Sequence, residues 1–451
     1  MPATSEAILK TPIVIINKVL KGVEDLGDRI VSLSAELIRI PSINPRYPGM
    51  DYQKEVGGET NCNRRLAEVY REIGCKVEFI EKEPGRANLV GTLKGTGGGR
   101  SLIFNGHIDV VPVGDPADWK FGDPFSGKVE DGKLYGRGSC DMKGGVVAQS
   151  QAIAAIRRSG ARLKGDVILE SVVGEETMSH EVGVSAVCEK FKADGAVVSE
   201  ASAPPVPLAV VPVTSGLLWM TLTCRGKATH ASVRDELIRA GGKGAAIGVS
   251  AIEKGVYILQ AIRNLEEQWG QSKSHPLFKP GHFTIHPGVI SGGPNGVMIP
   301  FVVSQFCTLE YAIWYPPQEK VEDIKQEIVD YVNKAAELDP WLKEHPPEVK
   351  WNLHWPPAVT PVDHPIVQTC AAAHRQVVRP TNVNDHSLFQ GFAAVCDAAF
   401  LNAAGIPSVI YGPGSILQAH AVDEYVSIDE LVIAAKTYAL MALEWCGCEE
   451  R

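Results

Sequence analysis

The stretch SLIFNGHIDVV, residues 101–111, places His107 and Asp109 two positions apart inside an apolar run. Residues two apart on a strand point to the same face, so the two polar side chains share one face near the C-terminal end of a predicted strand. Burying either group without a polar partner costs free energy. A metal ligand with its hydrogen-bond acceptor, two metal ligands, or a satisfied pair of core residues would each account for them.

Three further apolar runs have the same character as this one: DVILESVV (166–173), GAVVSE (195–200) and PSVIYGPG (407–414). None alternates strictly, which is typical of strands buried on both faces of a sheet. Helix-like stretches such as GGVVAQSQAIAAIRRSG (144–160) lie between them. This order predicts an α/β domain with a mostly parallel sheet.

The pattern changes in GLLWMTLTCRG (216–226), where one strand face is apolar: Leu218, Met220, Leu222 and Cys224. Such alternation is typical of an antiparallel sheet covered on one side. A long helix with an apolar stripe follows, formed by Ile258, Ile262, Leu265 and Trp269. We interpret the proline-rich WNLHWPPAVTPVDHP (351–365) as a crossing between domains. The chain is thus predicted to form an α/β domain over 1–213 and 353–451, interrupted by a smaller α+β domain over 214–352.

The composition limits the function classes. With 451 residues, 45% hydrophobic and 22% charged, the chain is an ordinary globular one, and its net charge of −9 argues against a nucleic-acid binder. No window approaches the ~20 apolar residues of a membrane span, and we find no signal-peptide pattern. Ten cysteines are scattered without framework spacing, which favours reduced thiols and a cytoplasmic location.

Titratable groups recur where the predicted strands end. Asp141 lies in the glycine-rich LYGRGSCDMKGG, Glu175 and Glu176 follow one strand, Glu200 ends another, and His420 lies in the loop after PSVIYGPG. Ligand sites of open α/β sheets gather at the C-terminal ends of strands. Imidazole with carboxylate and without thiolate suits Zn²⁺, Mn²⁺ or Co²⁺. Of two adjacent glutamates, one can bind metal while the other serves as a general base.

Taken together, NGHIDVVP, LYGRGSCDMKGG, VGEE, VVSE and the GPG…AHAVDE ending resemble a dinuclear-metal aminoacylase and carboxypeptidase family. Its members include acetylornithine deacetylase, succinyl-diaminopimelate desuccinylase and glutamate carboxypeptidase. LIRIPSINP and DWKFGDPFSGKVEDGKLYGRG also fit, so the resemblance runs from about Leu37 to the C-terminus. It implies a metallohydrolase catalytic domain, an inserted lid and dimerisation domain, a homodimer formed through that lid, and a small-molecule amide substrate.

The resemblance also implies a role for each strand-end group. His107 and Glu200 would bind one metal, Glu176 and His420 the other, and Asp141 would bridge both. Asp109 would orient His107, and Glu175 would be the general base that takes a proton from the attacking water. The two ions would be divalent, zinc foremost, with cobalt and manganese as alternatives.

Two residues of the predicted lid match the resemblance as well. His230 in RGKATHAS corresponds to a histidine that reaches the partner's active site and steadies the oxyanion. Asn295 in GGPNGVMIP resembles an asparagine that contacts the substrate, although one extra residue separates it here from the Ile-Pro pair.

Two arginines expected from the resemblance are missing. LEYAIWYPP (309–317) contains none, and the Asp-Ala-Arg of the last third reads Asp397, Ala398, Ala399. An arginine is the natural bidentate partner of a substrate carboxylate. Arg234 could substitute, the substrate could carry its carboxylate elsewhere, or it could lack one.

The leading hypothesis is metal-dependent hydrolysis of a C–N amide bond, with an N-acyl amino acid or a close analogue as substrate. A dipeptidase or carboxypeptidase would use the same ligands. A non-amino-acid amide, such as an N-formyl heterocyclic amine, is the third alternative. A silent binding protein on the same scaffold is opposed by the presence of the base and of every ligand.

Overall fold

The computed structural model describes residues 9–202, 206–293, 299–378 and 388–449. The chain divides into two compact units, Met1–Thr214 with Ala358–Arg451, and Ser215–Pro357. In the described ranges, no helix combines the length and the apolar character needed to cross a membrane.

The first unit opens with helices and continues with strands, most of which enter its large sheet. Its opening elements are α1 (Ile13–Asp25), α2 (Gly27–Ile38), α3 (Tyr52–Glu55), α4 (Gly58–Ile73), β1 (Lys76–Glu83), β2 (Arg86–Leu93), β3 (Leu102–His107), β4 (Lys128–Glu130) and β5 (Lys133–Tyr135). A turn over Ser139–Lys143 then leads into α5 (Gly144–Ser159), β6 (Arg162–Leu163), β7 (Val167–Val172), α6 (Val184–Cys188), β8 (Ala196–Val198) and β9 (Val210–Thr214).

The second unit is an antiparallel sheet with two long helices. It contains β10 (Gly216–Arg225), β11 (Thr229–His230), α7 (Arg234–Ile238), α8 (Ala251–Ser272), β12 (Ile285–Gly292), β13 (Val302–Val303), β14 (Phe306–Tyr315), α9 (Val321–Glu337) and β15 (Glu348–Trp355). The sheet order is β12-β14-β10-β15. The predicted strand face and helix stripe are confirmed, because the four apolar residues of β10 and the four of α8 share one buried core.

The proline-rich segment predicted as a crossing is partly a strand. Residues Trp351–Trp355 belong to β15, which pairs with β10 at the edge of the sheet. The crossing is shorter than predicted, because it begins at the prolines that follow Trp355 and the two units divide between Pro357 and Ala358.

The chain then returns to the first unit. It adds α10 (Pro365–Val377), β16 (Phe389–Phe392), α11 (Ala398–Ala403), β17 (Ser408–Ile410), β18 (Tyr425–Ser427), α12 (Ile428–Cys446) and β19 (Cys448–Glu449). The large sheet has the order β1-β2-β7-β3-β8-β17-β9-β16, whereas β4 and β5 form a small sheet with β18, and β6 pairs with β19.

The predicted α/β class is confirmed, and the sheet is mixed. Strands β7, β3, β8 and β17 run parallel at its centre, and β16 runs parallel to β9. In contrast, β1, β2 and β7 pair antiparallel in succession, and β17 pairs antiparallel with β9. Helices α5 and α12 pack against each other and supply much of the buried core of this unit.

The glycine pair that opens α5 has a packing reason. A Cβ atom at Gly145 would lie 2.7 Å from the carbonyl oxygen of Ser199, and one at Gly144 would lie 2.5 Å from that of Ser139. Only glycine lets the helix start this close to the end of β8. The turn that carries Asp141 is thereby held against the strand that leads to Glu200.

Candidate metal centre

The central parallel strands place their C-terminal ends at one edge of the sheet, where ligand sites of such sheets lie. His107 is the last residue of β3, and Glu176 lies in the turn Glu175–Thr177 after β7. Glu200 follows β8 by two residues, and His420 lies in the loop after β17. Asp141 enters from the turn that precedes α5. The five predicted ligands therefore come from five separate segments.

The carboxylate of Asp141 lies between the two histidines. The Nε2 atom of His107 is 2.9 Å from Asp141 Oδ1 and 3.5 Å from Glu200 Oε1. The Nε2 atom of His420 is 3.2 Å from Asp141 Oδ2 and 3.0 Å from Glu176 Oε2. The structure thus brings all five residues together, with each histidine shared between Asp141 and one glutamate.

The donor set fits divalent cations. Ligand atoms of His107, Asp141 and Glu176 lie within 4.8 Å of one another. No lysine or arginine in the described ranges forms an ion pair with these carboxylates, with Glu175 or with Glu200. The charged partners of Asp141, Glu176 and Glu200 are the two histidines. Buried carboxylates without a cation cost free energy, and metal ions of the kind that imidazole and carboxylate prefer would compensate them.

The ring of His107 is oriented through its second nitrogen. Nδ1 lies 2.9 Å from the backbone carbonyl oxygen of Asp109 and 3.7 Å from its carboxylate Oδ1. The carboxylate serves another purpose, because its Oδ2 accepts hydrogen bonds from the Asn44 side chain at 2.8 Å and from the Glu176 N–H at 3.1 Å. Asp109 therefore holds His107 through its carbonyl and the Glu175–Glu176 turn through its carboxylate.

The three glutamates of the site have pKa values above the ordinary value of a glutamate. Burial, followed by the negative charge of Asp141, raises the pKa of Glu176 to about 7 and also raises that of Glu200. Burial raises the pKa of Glu175 well above its usual range and outweighs the opposing charge of His107, while the negative charge of Glu200 adds a smaller increase. A carboxyl group tuned in this way can exchange a proton near neutral pH.

The histidines shift in the opposite direction. Hydrogen bonds to Asp141 and then to Glu176 raise the pKa of His420 to about 11. Burial works against protonation of His107, but its hydrogen bonds to Asp141 and Glu200 prevail and raise its pKa. Burial also opposes ionisation of Asp141, yet its bonds to both histidines lower its pKa. Each histidine therefore holds a proton at the position where a ligand would offer its lone pair to a metal, so metal binding would release protons.

Several buried polar residues around the site were not predicted as functional. Arg137 and Glu424 form an ion pair at 2.7 Å, with Arg137 3% and Glu424 0% exposed. Both lie inside motifs that the sequence analysis quoted, but their separation along the chain hides the pairing. Asp397 is also buried, and burial, together with the charges of Asp109 and Glu200 and against that of His107, raises its pKa to about 8.

The predicted lid residues lie in the second unit. His230 is exposed, and its Nδ1 is 2.6 Å from the hydroxyl of Ser232. Arg234 begins α7 and forms an ion pair with Glu253. Asn295 lies outside the described residues.

Comparisons with known proteins span most of the chain. A family model described as Peptidase family M20/M25/M40 matches residues 103–444. The chain is 34% identical over 440 residues to an N-formyl-4-amino-5-aminomethyl-2-methylpyrimidine deformylase of Bacillus subtilis, covering 95% of this chain and 97% of that protein. It is 28% identical over 409 residues to an acetylornithine deacetylase of Vibrio atlanticus, covering 87% and 92%.

The fold is also similar to that of solved structures. One is the YXEP protein of Bacillus subtilis, described as a dinuclear metal binding peptidase from the M20 family, with a TM-score of 0.60 at 14% identity. That likeness covers 93% of this chain and 98% of the solved chain. The resemblance in fold therefore extends over both units.

Proposed function

Since the chain belongs to peptidase family M20/M25/M40, we propose that it removes a formyl or other small acyl group from an amine that carries no carboxylate. Metal-dependent hydrolysis of a C–N amide bond is the reaction class that the family and its deformylase and deacetylase relatives share.

The substrate proposal rests on the two positions where the family resemblance expects an arginine and this sequence has none. Ala398 and Ala399 are each 1% exposed in α11, so neither position offers a charged group to a ligand. The alternating residues of β14 include no arginine either. At these two positions, where the family resemblance expects an arginine, the described residues place no guanidinium that could pair with a substrate carboxylate, which favours a neutral amide.

The names of two relatives also indicate which candidate substrates to rank first. The deformylase relative, whose name specifies an N-formyl aminopyrimidine, matches over nearly the full length at 34% identity. An N-formyl heterocyclic amine therefore becomes the first candidate substrate. The N-acyl amino acid favoured by the sequence analysis is the second, because the acetylornithine deacetylase relative at 28% identity acts on that class by name.

We assign the metal ligands in two groups that share Asp141. His107 and Glu200 would hold one ion and Glu176 and His420 the other, an assignment supported by the distances that link each histidine to Asp141 and to one glutamate. Zinc suits this donor set best, with cobalt or manganese as alternatives. When bound, two divalent cations would supply Lewis-acid polarisation of the amide carbonyl and acidify water.

The chain's own residues would move the protons. Glu175, with its raised pKa, would accept a proton from the attacking water and pass it to the departing nitrogen, so that amide and water become carboxylic acid and amine. Asp109 would hold the turn that presents Glu175 and Glu176. His230 and Asn295 keep the substrate-side roles that the family resemblance implies, with His230 acting from the partner subunit. Arg234 stays a candidate substitute for the missing arginines, should a substrate carry a carboxylate.

We propose that the protein is a homodimer formed through its second unit. Strand β12 is an outer strand of the sheet, and seven of its eight residues are exposed, including Val289 at 56% and Ile290 at 53%. On α8, Ile252 and Val256 are also exposed. An open apolar strand edge is an aggregation risk unless another chain covers it, and a second copy of this unit would do so.

We also propose a cytoplasmic location. Cys62, Cys370 and Cys446 are buried, and none forms a disulfide. Burial raises the pKa of each of these thiols, with that of Cys446 at about 12, so they remain protonated and unreactive. Thiols kept in this form are typical of reducing compartments.

Amine release from matched N-formyl compounds tests the substrate proposal. The panel pairs an N-formyl aminomethyl heterocycle with the same compound bearing a carboxylate, and adds N-formyl and N-acetyl amino acids and dipeptides. We expect the neutral heterocycle to have the highest kcat/KM. A preference for the carboxylate-bearing member of each pair would contradict the proposal and favour the N-acyl amino acid class.

A further inference from the structure

Arg137 reaches the segments that carry three of the proposed metal ligands. It lies between β5 and the turn that carries Asp141, and it is buried. Its Nη1 donates to Glu424 Oε2 at 2.7 Å and to the carbonyl oxygen of Ala421 at 3.2 Å. Its Nη2 donates to the carbonyl oxygens of His420 at 3.2 Å and of Pro112 at 3.4 Å. One guanidinium therefore contacts both the His420 loop and the segment that follows His107.

Glu424 connects the same loop to the Asp141 turn. Its Oε1 accepts hydrogen bonds from the backbone N–H groups of Cys140 at 2.9 Å and of Asp141 at 3.1 Å. Its backbone carbonyl accepts a further bond from the Gly136 N–H at 2.9 Å. One carboxylate oxygen of Glu424 thus binds the backbone of Asp141, the proposed shared ligand, while the other oxygen accepts from Arg137.

His420 needs such support more than the other proposed ligands do. Its side chain is 54% exposed, whereas that of His107 is 1% exposed at the end of a buried strand. Packing therefore does not fix the position of the His420 ring. The polar contacts of its own backbone and of the residues that follow it must do so.

We propose that Arg137 and Glu424 are positioning residues that keep the His420 ring beside Asp141, so that both side chains can bind the same metal ion. Their hydrogen bonds fix the carbonyl of His420 on one side and the amide of Asp141 on the other, across the 3.2 Å that separates His420 Nε2 from Asp141 Oδ2. Arg137 donates directly to the backbone of His420, whereas it contacts the His107 segment only at Pro112. Loss of the Arg137 contacts should therefore weaken the position formed by Glu176 and His420 more than the one formed by His107 and Glu200. The inference rests on the proposed two-metal assignment.

A second buried ion pair supplies a matched control. Arg86 and Glu59 are both 0% exposed and form two hydrogen bonds, at 2.7 and 2.8 Å. Arg86 also donates to Glu83, and none of these three residues is a proposed metal ligand. Replacing either arginine by lysine disturbs a buried charge pair, but only Arg137→Lys removes contacts to the His420 loop.

The test compares Arg137→Lys and Arg86→Lys with the wild type. Zinc per chain is measured after equilibration at buffered free zinc, and cobalt(II) is titrated into chelated protein while its visible absorption is recorded. We expect Arg137→Lys to keep one ion at wild-type affinity and to bind the second ~10- to 100-fold more weakly, with a changed cobalt spectrum for that ion only. We expect Arg86→Lys to keep both ions.

Two results would overturn the inference. One is wild-type affinity for both ions in Arg137→Lys, and the other is an equal loss in Arg86→Lys, which would mean that any buried charge defect weakens the site. If Arg137→Lys does not fold, Glu424→Gln replaces it with the same expectations, because its amide oxygen still accepts the two N–H bonds but no longer pairs with Arg137. A wild-type protein that binds fewer than two ions would instead contradict the proposed metal assignment.

Discussion

Replacing Glu170 by glutamine should stabilise the protein, and the gain should grow with pH. Glu170 lies in the middle of β7, the strand that leads to the Glu175–Glu176 turn, and is 0% exposed. Asn105 donates to its Oε2 at 3.1 Å, while Oε1 has no hydrogen-bond partner in the described part of the chain. Burial outweighs the hydrogen bond from Asn105 and raises the pKa of Glu170 to about 7. Glutamine has nearly the same shape and no charge to bury.

The magnitude follows from the two pKa values of this carboxyl group. The folded-state pKa of about 7 exceeds the ordinary value of 4.5, so the folded state disfavours the ionised form. The penalty is absent below about pH 4.5, grows as the pH rises and is complete above about pH 7. At about 1.4 kcal/mol for each tenfold change, the difference corresponds to about 3 kcal/mol in the free energy of unfolding.

Urea denaturation of chelated protein at pH 5 and pH 8 measures this effect. We expect Glu170→Gln to exceed the wild type by less than ~1 kcal/mol at pH 5 and by about 3 kcal/mol at pH 8. Glu68→Gln is the control, because the Glu68 side chain is 63% exposed and its replacement should give a small difference at both pH values. A gain that does not change with pH, or a loss of stability at pH 8, would contradict the claim that ionised Glu170 destabilises the folded state.

Three further outcomes concern the site and the assembly. Glu175→Gln should retain both metal ions and lose at least ~100-fold in kcat, and full activity in that variant would remove Glu175 from the mechanism. His420→Ala should bind fewer than two ions per chain while His230→Ala, in the second unit, binds two; equal stoichiometry in both variants would refute the assignment of His420 as a ligand. Ile290→Lys should sediment as a monomer, whereas Val129→Lys, at an exposed apolar position of the first unit, should sediment like the wild type.

Local periodicity predicted the elements that build the site. The solid apolar runs ending at His107 and before Glu176, Glu200 and His420 are strands of the sheet centre, where both faces are buried. Parallel neighbours then bring the residues after each strand together at one edge, which is why strand-end positions were informative. The strict alternation of β10 and the apolar stripe of α8 also predicted these elements correctly, because each pattern follows from one buried face.

Contacts between residues far apart in the sequence could not be predicted in this way. Strand β1 has no buried residue and pairs antiparallel with β2, so the sheet is mixed where a mostly parallel one was predicted. The Arg137–Glu424 pair joins residues 287 positions apart, and no spacing rule connects them. His107 donates to the backbone carbonyl of Asp109 rather than to its carboxylate. The carboxylate instead accepts hydrogen bonds from Asn44 and Glu176, which the sequence does not reveal.

Anomalous diffraction from zinc-loaded crystals, recorded at the zinc absorption edge, would locate the bound ions directly. We predict two peaks in each chain, one beside His107 and Glu200 and one beside Glu176 and His420, with Asp141 contacting both. A single peak, or peaks away from these side chains, would contradict the assignment of this cluster as the dinuclear centre of the amidohydrolase.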